Sequence, residues 1–118
     1  MVGFKYLRNP FPAGPNATIC IDDGGTGTLT VTRSGFGPTT LLVEVEPKSE
    51  DVFWLVRADG AQPEGNMDVL PPDEAWRFIR VTDDCSFIET IAVDRATGRP
   101  MGAGAWWSGL CDGPCTPD

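Results

Sequence analysis

Apolar residues recur at every second position through much of the chain, and glycine, proline or acidic corners separate the runs. This is how short antiparallel strands with one face on a core are written. In residues 28–33, Leu29 and Val31 alternate with Thr28, Thr30 and Thr32; in residues 41–46, Leu41, Val43 and Val45 share one face and Glu44 and Glu46 the other. Residues 17–22 carry Ile19 and Ile21 on one face and Cys20 on the other, before the turn Asp22-Asp23-Gly24-Gly25. The densest stretch, residues 70–101, holds two further strands, at 76–82 and 87–93, then the hairpin turn Asp94-Arg95-Ala96-Thr97-Gly98 and a return strand over 101–107. In that turn the Asp94 carboxylate is placed to accept backbone N–H bonds, and Gly98 supplies a positive φ.

Three stretches depart from simple alternation. Residues 52–56, Val-Phe-Trp-Leu-Val, are apolar at every position, which predicts a mid-sheet strand with both faces covered, or one face under a loop or partner. Its expected neighbours are the strands around Leu41 and Phe78. In residues 76–82 Trp76 and Phe78 share one face and Ile79 and Val81 the other, so a bulge near Phe78 is expected to return both pairs to the core. In residues 87–93, Phe87, Ile91 and Val93 are expected inward, with Glu89 on the same face near its rim. Residues 67–70 read as a short added strand, stopped by Pro71 and Pro72.

The first 16 residues carry Pro10, Pro12 and Pro15 and read as an extended arm, with the folded domain over 17–118. Such an arm either straps its own sheet or reaches onto a neighbouring subunit, with Phe4, Tyr6 and Phe11 as anchors. Trp106 and Trp107 are adjacent and must point to opposite faces. One enters the core; the other is covered by loops or the arm, or is an exposed anchor for a partner.

Composition narrows the class. The 14 Gly and 11 Pro among 118 residues leave few uninterrupted runs long enough for an amphipathic helix, and those alternate with period two. The chain therefore reads as all-β: a single antiparallel β-sandwich of immunoglobulin-like or jelly-roll type, with seven to nine short strands. The 17 acids outnumber the 9 bases, for a net charge of −8. That balance argues against nucleic acid and anionic membranes as partners. Histidine is absent, which removes Ser-His-acid and Cys-His catalysis. Cys20, Cys85, Cys111 and Cys115 stand as free thiols, as one or two disulfides, or as zinc ligands. If bridges form, Cys20 to Cys85 and Cys111 to Cys115 is the favoured pairing. Asp22, Asp23, Asp83 and Asp84 sit at strand ends, and four carboxylates at one pole would suit a hard cation such as Ca²⁺. No cofactor is otherwise called for.

Gly27-Thr28-Leu29-Thr30-Val31-Thr32-Arg33-Ser34-Gly35, then Leu70-Pro71-Pro72-Asp73-Glu74 leading into Phe78-Ile79-Arg80-Val81-Thr82-Asp83-Asp84, resemble Calx-β and related immunoglobulin-like sandwiches over roughly half the chain. The resemblance implies a sandwich fold and a calcium site near the paired aspartates. The expected function is a non-enzymatic structural or binding module that docks on a larger assembly through its arm, its Trp-rich return strand and its sheet edge. By fold-level analogy this resembles small accessory proteins of tailed-phage virions, such as capsid decoration proteins. The expected partner is a capsid or other assembly protein, or a second copy of the chain. The first residues do not read as a standard secretion signal, so the expected location is the virion, or the cytoplasm before assembly. The alternatives are a calcium-dependent extracellular adhesion module of Calx-β type and a hydrolase on a β-sandwich scaffold.

Overall fold

A computed structural model describes residues 6–8, 16–22, 24–33, 37–65, 68–84, 86–102 and 104–110. Among them are eight strands and no helix: β1 (Tyr6–Arg8), β2 (Asn16–Ile21), β3 (Thr26–Arg33), β4 (Gly37–Pro47), β5 (Val52–Arg57), β6 (Glu74–Arg80), β7 (Ile88–Asp94) and β8 (Ala105–Leu110). Each pairs antiparallel with the next in sequence, and β1 also pairs with β8, so the ladder closes into one barrel. The all-β, antiparallel expectation holds. In place of two separate sheets there is one curled sheet, because Tyr6–Arg8, within the segment read as an arm, fills the gap between β2 and β8. Of the two readings of that segment, Tyr6–Arg8 follows the strap on its own sheet.

The core follows from the alternation. Ile19 pairs with Leu29 and Leu29 with Leu41; all three are buried. Further round, Phe53 pairs with Phe78 and their rings stack at 5.0 Å, while Trp107 meets Phe78 edge-on at 5.6 Å. An eight-stranded barrel has an interior just wide enough for side chains to fill, and these rings fill it. β5 lies between β4 and β6, as its five apolar residues require. Its outward Trp54 and Val56 form a second apolar cluster with Ala75, Ile91 and Val93. The turn after β7 covers that cluster. Asp94 Oδ1 accepts the N–H groups of Ala96 and Thr97 at 2.9 and 3.0 Å, and Arg95 reaches Glu46 at 3.1 Å. Gly98, at φ 76°, lies so close to the Trp54 ring that an added Cβ would stand 3.4 Å from it.

Two expected faces are corrected. β6 keeps an unbroken register on both sides, from Val52↔Ile79 to Leu55↔Trp76 and from Glu74↔Asp94 to Arg80↔Ile88, so there is no bulge at Phe78. Trp76 and Phe78 point inward, Ile79 lies on the outer face, and Val81 is 55% exposed. In β7 the expected parity is right and the side is wrong: Ile88 and Thr90 are buried on the inner face, and Glu89 and Ile91 face outward. The reason is volume. Phe78 pairs with Thr90, and Trp76 with Ala92; two large β6 rings leave room only for small side chains beside them.

Residues 67–70 form no strand among the described positions. Leu70 is instead a loop residue at φ 47° with its side chain in the core, 1% exposed. Arg57 holds it there: its Nε donates to the Leu70 carbonyl at 3.0 Å, and Nη2 to the Val69 carbonyl at 2.8 Å. Through Ala61, Val69 and Leu70 the described parts of this loop pack against the core.

Candidate functional site

With the interior filled and the ladder closed, the place left for recognition is the outer surface. A groove of about 380 Å³ lies on the outer face of β6, β7 and β8, lined by Arg77, Ile79, Phe87, Glu89, Ile91 and Trp106, with Thr90 and Gly104. Its construction follows from register. Ile79 pairs with Glu89 and Glu89 with Trp106, which sets those three side by side; Arg77 pairs with Ile91 in the adjacent row. Phe87, just before β7, stacks on Trp106 with ring centroids 5.2 Å apart and planes 6° from parallel. The stack makes an aromatic wall. Ile79 and Ile91 provide an aliphatic floor, and Arg77 and Glu89 place opposite charges at diagonal positions.

Arg77 is the unusual member. Its Nε is buried and has no hydrogen-bond partner among the described residues, and none of those residues forms an ion pair with it. A buried donor without an acceptor is uncommon in folded proteins and calls for an explanation. The side chain as a whole is half-buried and lines the groove, so its terminal nitrogens are what remain for a ligand.

The adjacent tryptophans divide as expected. Trp107 is core, 3% exposed, and Trp106 is half-buried on the outer face. β8 is paired on both sides, by β7 and β1, so the expected docking through a sheet edge is not offered by this strand. Tyr6 lies in β1; Phe4 and Phe11 lie outside the described residues.

The acidic turns, after β2 and after β6, fall at the same end of the up-and-down barrel. Asp22 Oδ1 accepts the N–H of Gly24 at 2.8 Å and of Thr26 at 3.2 Å, and Oδ2 bonds the Thr26 hydroxyl at 3.0 Å. The Thr26 bonds, backbone first, hold the Asp22 carboxyl below the usual carboxylate range. Asp84 accepts the Ser86 N–H at 3.0 Å and is held low by Ser86 and then Thr82. Both carboxylates thus stitch their own turns. Among the described residues no three His, Cys, Asp or Glu side chains gather in a way that would hold a metal ion; Asp23 lies outside them. Cys20 is disulfide-bonded. The expected bridge partners Cys85, Cys111 and Cys115 lie outside the described residues.

The sequence reading missed Arg77, Ile79, Phe87, Glu89 and Ile91 as site residues. The signal was present as surplus apolar residues, Ile79 and Ile91, on the faces of two paired strands that could not both be core. Fold and groove together define a closed antiparallel β-barrel with a packed interior and a groove on its outer face. No protein-family model, no curated protein and no solved structure matches the chain.

Proposed function

We propose that the protein is a non-catalytic binding module that docks on a larger protein assembly through the outer face of β6, β7 and β8. The observation that carries this reading is the groove beside Trp106: an aromatic wall, an aliphatic floor and an arginine whose Nε is buried without a partner among the described residues. Tryptophan, other aromatics and arginine are the residues that dominate binding energy where proteins meet. Glycoside hydrolysis needs two facing acids, and the groove lining includes one carboxylate, Glu89. A net charge of −8 keeps free copies apart until they dock. The Cys20 disulfide supports work outside a reducing cytosol, on a particle or cell surface. A capsid decoration protein is the narrower form of this reading, and a second copy of the chain is the other candidate partner.

Photo-crosslinking from the native source tests it. A photoreactive residue at the exposed Glu89, on the groove, is expected to capture one defined partner. The same residue at Leu42, 60% exposed on β4, is expected not to. Equal capture at both positions, or none at either, overturns the docking face. A partner identified as a capsid protein carries the narrower form, and a crosslinked homodimer overturns it.

A further inference from the structure

The chemistry of the groove specifies more about its occupant, granted the docking reading on which this inference rests. Arg77 lines the groove, and a guanidinium offers a carboxylate two parallel N–H···O bonds from its two terminal Nη groups. Because Arg77 Nε is already buried, part of its desolvation has been incurred before a ligand arrives. A carboxylate at the terminal Nη groups meets a cation that is already partly dehydrated. Beside it, Ile79, Ile91 and the Phe87–Trp106 stack offer surface for one apolar ring, and about 380 Å³ has room for one or two side chains, not for an extended body.

Glu89 sets the sign limit. It stands one residue pair from Arg77 on the same outer face, in the row Ile79–Glu89–Trp106, and among the described residues it has no ion pair. On a chain of net charge −8, a dianionic phosphate entering beside Glu89 meets like charge. A single carboxylate flanked by neutral, apolar groups does not. The barrel is closed, with β8 paired on both sides, so the occupant does not add a strand; it lays side chains onto a sheet face.

We propose that the groove between Arg77 and Trp106 receives a partner-protein segment in which an acidic side chain is followed by an aromatic one. The carboxylate accepts from Arg77, and the ring lies against Trp106 and the two isoleucines. The source is an internal acidic side chain of the segment.

Titration of the isotope-labelled full chain with N-acetyl-Asp-Phe-amide tests this by NMR, read at the Arg77 Nε–H and the Trp106 indole N–H. Both signals are expected to move together, with N-acetyl-Asn-Phe-amide and N-acetyl-Asp-Ala-amide each binding about tenfold more weakly. Arg77→Gln is expected to erase the preference for Asp over Asn without lowering the melting temperature, Arg77→Lys to retain part of it, and Glu89→Gln to tighten binding. Equal binding of the Asp and Asn dipeptides overturns the proposal. So does tighter binding of N-acetylphenylalanine, which would move the source to a chain terminus, or of phenyl phosphate. An Arg77 Nε–H signal that shifts in ligand-free Glu89→Gln also overturns it, since Glu89 would then be the acceptor. If the dipeptides fail while the crosslink at position 89 still captures a defined partner, the docking face stands and only this chemistry falls.

Discussion

Replacing Arg57 by Met should free the loop that carries Leu70 into the core, and the cost can be worked from the hydrogen bonds. The Arg57 side chain is 8% exposed and serves two backbone carbonyls, Leu70 at 3.0 Å and Val69 at 2.8 Å, with a longer 3.3 Å contact to Asp68. Each bond from a charged donor is worth about 1.5–3 kcal/mol. Met keeps the apolar stem and removes both donors. The Asp68 carboxylate is 77% exposed, where an ion pair adds only about 0–1 kcal/mol. Arg57→Met should therefore cost about 3–5 kcal/mol and lower Tm by roughly 10 °C or more, whereas Asp68→Asn should cost under ~1 kcal/mol. Denaturant melts give the energies, and amide exchange shows where they act. The Glu64 N–H, bonded to the Thr40 carbonyl at 2.8 Å, should exchange faster in Arg57→Met because the loop that Arg57 holds through Val69 and Leu70 is released. Leu70→Ala, which removes a core side chain of the same loop, should be less than additive with it. A loss under ~1 kcal/mol for Arg57→Met, or an equal loss for Asp68→Asn, would refute the reasoning.

Two further outcomes follow from the turns and the tryptophans. Asp22 and Asp84 are held below their ordinary value of 3.8 in the folded chain, by the Thr26 and Ser86 bonds respectively. Their stabilisation is thus full above that value and lost as pH falls through the lower folded one. Thermal melts between about pH 6 and pH 2 should show Tm dropping at the acid end, and Asp22→Asn with Asp84→Asn should flatten that drop; an unchanged profile would contradict the assignment. Trp107→Ala, at a site 3% exposed, should cost about 3–5 kcal/mol, and Trp106→Ala on the outer face under ~1.5 kcal/mol. Equal losses in denaturant midpoint would mean that the two rings have been given the wrong sides.

How legible each strand was depends on whether its apolar residues fell on one face. β2, β3 and β4 could be read because Ile19 and Ile21, Leu29 and Val31, and Leu41 and Val43 each oppose polar neighbours. β7 misled because its outer set, with Ile91 and Val93, is more apolar than its inner set of Ile88, Thr90 and Ala92. The side was decided by the rings of β6 across the ladder, which local pattern does not contain. β1 was hidden among prolines, and its three residues matter only through pairing with β8, on the far side of the sequence. The same non-local pairing separates a barrel from a sandwich. Of the site, Trp106 was legible as the residue with no place inside. Arg77 was not, since an arginine on a polar face is ordinary until its lack of a partner is seen.

The groove and the covered cluster beside it have one origin. β5, β6 and β7 carry more apolar residues than the interior of a small barrel admits, so the surplus falls on the outer face. Trp54, Val56, Ala75 and Val93 are shielded where the hairpin after β7 folds back, held by the Arg95–Glu46 pair and by Gly98 against Trp54. The returning chain rejoins β7 between Pro100 opposite Val93 and Ala105 opposite Thr90, and Gly102 and Gly104 between these positions have no side chain to lay over the sheet. Cover therefore stops at Ile91. Beyond it Ile79, Arg77 and the half-buried Trp106 line the groove. The two glycines have a local reason, since a Cβ at position 104 would stand 3.3 Å from the Thr90 carbonyl oxygen and Gly102 sits at φ 152°; their consequence is the space beside Arg77 on which the proposed docking rests.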